Sequence, residues 1–201
     1  MTPFHYLALG DSYTIGECVA ENESFPVQTV KLLRGSGLQV DYPEIIATTG
    51  WTTDELEQGI KAAGISRTFD MVTLLIGVNN QYRGRSAQEY AGEFTALLKK
   101  AIAFAGNDSS HVVVLSIPDW SVTPFAADRE GDVIATAIDA FNAVNREIAQ
   151  SMAVHYLDIT HYTRQAAVDK ELVASDGLHP SGKDYARWAQ DLAPIFLQTL
   201  Q

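Results

Sequence analysis

Short unbroken apolar runs alternate along this chain with longer stretches in which apolar residues recur every three or four positions. The runs read as strands buried on both faces, because a parallel sheet covered by helices hides both sides of each strand. The first is Phe4 to Leu9, in which only His5 is polar. The others are Glu44 to Thr48, Met71 to Ile76, Val112 to Ile117 and the shorter Val154 to Ile159. A helix over Phe25 to Arg34 is predicted, with Ser24 as its cap and Gly35-Ser36-Gly37 closing it. Thr52 with Glu55, Ser86 with Glu89 and Ser181 with Asp184 are spaced as capping pairs that open further helices. After Ser86, the residues Tyr90, Phe94, Leu97, Leu98, Ala101 and Ile102 form one apolar stripe. Ile134, Ile138, Phe141, Ile148 and Met152 line one face of a long helix. Tyr185, Trp188, Leu192 and Phe196 face inward from the last helix, which Pro194 is expected to kink or end. Strands and helices alternating at this pitch imply βαβ units, a central parallel sheet and helices on both faces. The predicted fold class is α/β, a three-layer α/β/α sandwich. No repeat, low-complexity tract or linker divides the sequence, so residues 1–201 read as one domain.

Composition narrows the function more than the fold. With 201 residues, 46% hydrophobic and 19% charged, the chain is long enough for a sizeable core. A net charge of −11 without any Lys/Arg run argues against nucleic acid and anionic membrane surfaces as partners. No apolar run approaches the ~18–20 residues of a membrane span. The first strand follows Met1 almost at once, so no signal peptide is expected and the expected compartment is the cytoplasm; a trimmed leader and the oligomeric state stay open. The single cysteine, Cys18, excludes an intrachain disulfide and reads as a small buried hydrophobe. His5, His111 and His155 lie within or beside strands without metal-ligand spacing, and neither metal nor cofactor is expected.

The polar residues of interest gather where apolar runs end. Gly10-Asp11-Ser12-Tyr13-Thr14 follows the first run, with Gly10 expected to permit a sharp turn and Ser12 placed where the chain leaves the sheet. In open α/β sheets ligands bind just beyond the carboxyl ends of the strands. Taken alone, the pentapeptide fits a turn whose Asp11 and Ser12 bond the local backbone as well as it fits a nucleophile. Thr49-Gly50-Trp51 and Gly77-Val78-Asn79 also end strands, and Asp176-Gly177-Leu178-His179 precedes the last helix. Together they offer what acyl transfer needs: a hydroxyl, a base oriented by a carboxylate, and donors for an oxyanion. A second D-x-x-H pair, Asp158 with His161, competes for the role of base and orienter. Its β-branched interior suits an extended segment with the two side chains on opposite sides, whereas Gly177 permits a tight turn that joins Asp176 to His179.

These four blocks, in this order and spanning nearly the whole chain, resemble the SGNH (GDSL) hydrolases. The resemblance implies a flavodoxin-like fold and a serine ester hydrolase, with Ser12 as nucleophile, His179 as general base and Asp176 as its orienting carboxylate. It further implies an oxyanion hole made by the Ser12 and Gly50 N–H groups and the Asn79 amide. The family pattern has Asp after the third-block asparagine, where this chain has Asn80; Asn80→Asp would restore the pattern and is expected to be tolerated. The substrate implied is a small-molecule ester, and the lack of a lid-like apolar insertion favours short-chain or acetyl esters. A thioesterase or lysophospholipase of the same family is the alternative. A non-catalytic, flavodoxin-like small-ligand binder is a more distant one, for which the chain lacks a Gly-rich phosphate cradle. Trp51, Tyr82, Trp120 and Phe125 follow strand ends and are candidates for a substrate pocket, with plain packing as the other reading. Arg83 and Arg85 read as surface groups or carboxylate partners before they read as anion ligands.

Overall fold

The computed structural model describes residues 2–200. In chain order it contains β1 (Tyr6–Gly10), α1 (Ser12–Ile15), α2 (Phe25–Gly35), β2 (Glu44–Ala47), α3 (Thr53–Ala63), β3 (Met71–Leu75) and α4 (Val78–Tyr82). There follow α5 (Ala87–Phe104), β4 (Val112–Leu115), α6 (Gly131–Ser151), β5 (His155–Leu157), α7 (Thr160–Thr163) and α8 (Gly182–Thr199). Among the described residues the strands form one five-stranded sheet of order β2-β1-β3-β4-β5, with every neighbouring pair parallel. β1 pairs with β3 from Tyr6 opposite Met71 to Gly10 opposite Leu75.

The apolar runs are buried for the reason their pattern suggests. Every residue of β1, β3 and β4 is buried, while the edge strands β2 and β5 are only partly so. From β1 the chain first steps outward to β2, then crosses back to β3 and continues to β5. Right-handed crossovers then put α3, α5 and α6 on one face and α2 with α8 on the other. The packing agrees: α2 lies on α8, and α5 lies on both α3 and α6. Trp188 and Tyr185 of α8 meet Phe25 of α2 at ring-centroid distances of 5.9 and 6.5 Å. Burying each such side chain contributes about 1.5–3 kcal/mol. Among the described residues no helix is long and apolar enough to cross a membrane.

The structure corrects several details. Gly10 does not turn the chain; it is the last residue of β1. A Cβ there would lie 2.0 Å from Thr14 Oγ1 and 2.5 Å from the Leu75 carbonyl, so glycine is required by close approach. Pro194 does not end the last helix, which runs on to Thr199. Ser24 occupies the cap position of α2, but its hydroxyl donates to the Glu21 carbonyl at 3.0 Å instead of accepting from the helix. Ser86 caps α5 as its spacing predicts, accepting the Glu89 N–H at 3.2 Å while Glu89 accepts the Ser86 N–H at 2.9 Å. The segment after Asp158 is not extended: Thr160–Thr163 closes into the helical turn α7. Cys18 is exposed, not buried, on the loop that follows α1.

Candidate active site

The strand order reverses between β1 and β3, and a crevice opens at such a point beyond the carboxyl ends. Each of the first three polar blocks reaches it from a different strand. Asp11 leaves β1 in extended conformation and caps α1, its Oδ1 accepting the Tyr13 N–H at 3.0 Å, so that Ser12 becomes the first residue of the helix. After β2, the Trp51 N–H donates to the Thr48 carbonyl at 3.2 Å and closes a turn. That turn needs positive φ at its third residue, which Gly50 supplies at +82°. After β3, Gly77 at φ +132° starts α4 and delivers Asn79 to the same crevice. A Cβ on Gly77 would meet the Tyr90 ring at 2.6 Å.

The fourth block arrives from the opposite side. Asp176 Oδ1 accepts the N–H groups of Leu178 and His179, each at 3.0 Å, across a turn in which Gly177 takes φ +71°. The fold of this turn brings the Asp176 carboxylate beside the ring it precedes. His179 Nδ1 lies 2.5 Å from Asp176 Oδ2, and Nε2 lies 2.9 Å from Ser12 Oγ. Burial acts to raise the Asp176 carboxyl, but the His179 ring and the two backbone donors outweigh it and hold the group at about 2. The ring of Tyr13 packs at 4.9 Å from the His179 ring. Ser12, His179 and Asp176 therefore form one continuous hydrogen-bonded row, in which the carboxylate selects the tautomer with Nδ1 protonated. Nε2 is then left to accept the serine proton.

Asn79 shares a cavity wall with Ser12, whereas Gly50 does not line that cavity. The Asn79 amide nitrogen donates to the Trp51 carbonyl at 3.0 Å and more loosely to Asp11 Oδ2 at 3.3 Å. Among the described residues no acceptor takes the N–H of Ser12 or of Gly50. Asp11 is fully buried; burial pushes its carboxyl up to about 7 against the bonds from Tyr13 and Asn79. Asn80 is also buried, turned away from Ser12 toward α3. Its Oδ1 accepts the Thr53 N–H at 3.1 Å, and its amide donates to Thr53 Oγ1 at 2.6 Å and to Glu93 at 3.5 Å.

A cavity of about 180 Å³ opens at Ser12, with Asn79, His179, Tyr82, Trp120 and Phe125 in its walls. Three of the four aromatic candidates therefore line it. The fourth, Trp51, does not: its ring lies on α3, where a Cβ on Gly59 would come within 2.2 Å of it. Trp120 is fixed by its indole N–H, which donates to Gln81 Oε1 at 2.9 Å. Arg129 stacks over the cluster, 5.0–5.4 Å from the Phe125, Tyr82 and Trp120 ring centroids. Gln81, Tyr13 and Arg129 escaped the reading of the sequence. Gln81 lies close to Asn79 and was within reach of it, whereas Arg129 sits in an ordinary charged stretch, Asp128-Arg129-Glu130.

Other candidates are engaged elsewhere. Arg83 pairs with Glu55 at 3.2 Å and donates to the Gly50 carbonyl at 2.6 Å; Arg85 pairs with Asp54 at 2.6 Å. Asp158 accepts from Ser116, Arg146 and the Thr160 N–H, while His161 is exposed against Tyr162, so this D-x-x-H pair does not join. The Cys18 thiol is pushed up by desolvation, then by the hydrogen bond it donates to Asp176 and by the charges of Asp176 and Glu17, which leaves it a poor nucleophile at neutral pH.

Comparison with known proteins puts this geometry in context. The model of the GDSL-like lipase/acylhydrolase family matches residues 8–187. No curated protein sequence matches the chain. Among solved structures, TesA superposes with a TM-score of 0.76 at 16% identity, covering 97% of this chain and 99% of its own. The psychrotrophic esterase EstA from Pseudoalteromonas sp. gives 0.72 at 16% identity, with 98% of both chains covered. A mutant of Axe2, an acetyl-xylooligosaccharide esterase from Geobacillus, gives 0.68 at 19% identity, covering 98% of this chain and 94% of that one.

Proposed function

Because this chain belongs to the GDSL-like lipase/acylhydrolase family, we propose that it is a serine ester hydrolase acting on small carboxylic esters through an acyl-enzyme. The observation that carries the reading is the unbroken row from Asp176 through His179 to Ser12, ending in an open cavity. Serine is inert at its ordinary pKa, so its attack on a carbonyl needs a base in contact. His179 Nε2 takes the Ser12 proton as the Oγ–carbon bond forms. The imidazolium so made is stabilised by Asp176, which stays ionised because it is held at about 2. Negative charge grows on the carbonyl oxygen, and the N–H groups of Ser12 and Gly50 are free to meet it. The Trp51 carbonyl orients the Asn79 amide, and the hydrogen that reaches Asp11 only at 3.3 Å is the one released to the oxyanion. His179 then returns its proton to the leaving alcohol as the tetrahedral species collapses. Water, deprotonated by the same ring, attacks the acyl-enzyme and frees the acid.

The modest cavity and its three rings favour short acyl groups, acetyl among them, over long chains. The same triad would also serve a thioesterase or lysophospholipase, and chain length on matched oxygen and sulfur esters separates these. The first experiment is labelling by a fluorophosphonate, followed by turnover on nitrophenyl esters of increasing acyl length. Labelling confined to Ser12 and a rate that falls with chain length are expected. An unlabelled protein without esterase activity that binds a flavin would overturn the reading.

A further inference from the structure

The hydrolytic scheme leaves unused a thiol that stands beside its base. Cys18 is exposed on the loop after α1. Its Sγ, a carboxylate oxygen of Asp176 and a ring nitrogen of His179 all lie within 4.8 Å of one another. Thiolate, imidazole and carboxylate are the donors Zn²⁺ takes in four-coordinate sites, and a fourth position stays open to water. Among the described residues no other histidine, cysteine or carboxylate cluster gathers in this way. Asp176 Oδ1 already accepts the N–H groups of Leu178 and His179 and so locks the turn that carries both donors, while Oδ2 and Nδ1, 2.5 Å apart, give up their direct hydrogen bond to take an ion between them. The Nδ1 edge of the His179 ring faces Asp176, opposite the edge that meets Ser12.

We propose that Cys18, Asp176 and His179 form an inhibitory site for a borderline or soft divalent cation, with Zn²⁺ as its representative. Binding stands on the three donors alone; inhibition rests on the reading of His179 as the base. Coordination needs the Cys18 thiolate and a free lone pair on Nδ1. The thiol gives its proton to solvent. The proton on Nδ1 also leaves, and Nε2 takes one up, so the ring stays neutral and one proton is released for each ion bound. No carbon bond changes and nothing is oxidised. With its proton on Nε2 the ring donates toward Ser12 instead of accepting from it, and the serine loses its base.

Titrating the protein with Cd²⁺ and following the thiolate-to-cadmium charge-transfer absorption reads binding without any substrate. A band that saturates at one ion per chain and is competed away by Zn²⁺ is expected. In ester hydrolysis Zn²⁺ should lower the rate and a chelator restore it. Cys18→Ala should keep the metal-free rate while weakening Zn²⁺ inhibition at least about 10–100-fold, the loss known even for outer-shell partners. Cys18 sits at φ +62°, which glycine adopts freely, so Cys18→Gly provides a second variant in an unstrained loop. Absence of the band, or inhibition of both variants at the wild-type Zn²⁺ concentration, would overturn the proposal. A saturable band in a protein with no esterase activity would support the site and sink the hydrolase reading with its inhibitory role.

Discussion

His179 is gripped at both edges of its ring, by Asp176 at Nδ1 and Ser12 at Nε2, while Tyr13 packs against its face. On the proposed reading the base and the nucleophile bonded to it act as a unit, so their losses do not add. Ser12→Ala and His179→Ala should therefore fall by similar factors, to the ~10³–10⁴-fold over water that binding and the oxyanion donors retain. Asp176→Asn should lose as much or less. His161→Ala is the control, since its ring is exposed and its neighbour Asp158 is bound to Ser116 and Arg146; a few-fold change at most is expected. Kinetics of the folded variants decide this, and the reverse order of the two histidines would refute the assignment. Asn79 belongs to a different class. Its amide is aimed by the Trp51 carbonyl and in the proposed scheme meets the developing charge, so Asn79→Ala should lower kcat by about 10²–10³ with KM little changed. A raised KM at constant kcat would make it a substrate-binding residue instead.

Elements deliver these side chains, and the joints between elements are where the family pattern has been rewritten. Asn80 links α4 to the start of α3, and its amide already faces Glu93, whose carboxylate also accepts from the Thr53 hydroxyl. An aspartate at this position would set two carboxylates against each other and strand the Thr53 hydroxyl between them. The expectation that Asn80→Asp is tolerated is revised accordingly: loss of the amide's bonds should cost about 1–3 kcal/mol. At roughly 2–4 °C per kcal/mol for a chain of this size, the fall in Tm is measurable. Glu93→Gln, placed in the Asn80→Asp background, supplies a new donor and should recover most of it. Failure of that rescue would show that Glu93 is not what Asn80 answers to. The example marks what sequence could and could not show. The strands, the capping pairs at Ser86 and Ser181 and the four blocks are written in local pattern, and they were legible. Gly10, Trp51, Cys18 and Arg129 take their roles from residues distant in sequence or from loop conformation. Gly10 answers to Leu75 and Thr14, Trp51 lies on Gly59, and Arg129 caps rings brought in by α4 and the loop after β4. No periodicity reports such meetings.

At the scale of the whole molecule, the site shares the protein with a large excess of negative charge, −11 in all, and pH acts on it in two opposed ways. Carboxylates such as Asp54, which Arg85 and Thr52 hold at about 2, contribute stability above their unfolded pKa that is lost as pH falls. Asp184 and Asp11 behave oppositely. Burial raises Asp184 from its ordinary 3.8 to about 6, despite the Arg187 guanidinium 3.1 Å away, and raises Asp11 to about 7. A raised folded pKa means stability that is fully present below the unfolded value and lost as pH climbs through the folded one. Stability should therefore peak near pH ~4 and decline until Asp184 has ionised at about 6 and Asp11 at about 7, levelling off above that. Asp184 is 1% exposed, so solvent screens little of this, and a rise from 3.8 to about 6 is worth about 3 kcal/mol. Asp184→Asn keeps an oxygen to accept from Arg187 and has no charge to bury. Thermal melts should show a shallower decline between pH ~4 and ~6 in the variant, with a residual slope up to pH ~7 owed to Asp11. Parallel profiles in the two proteins would mean that Asp184 is already ionised and solvated in the fold, and that the loss of stability at high pH has its source in Asp11 or in the general repulsion of the acidic surface.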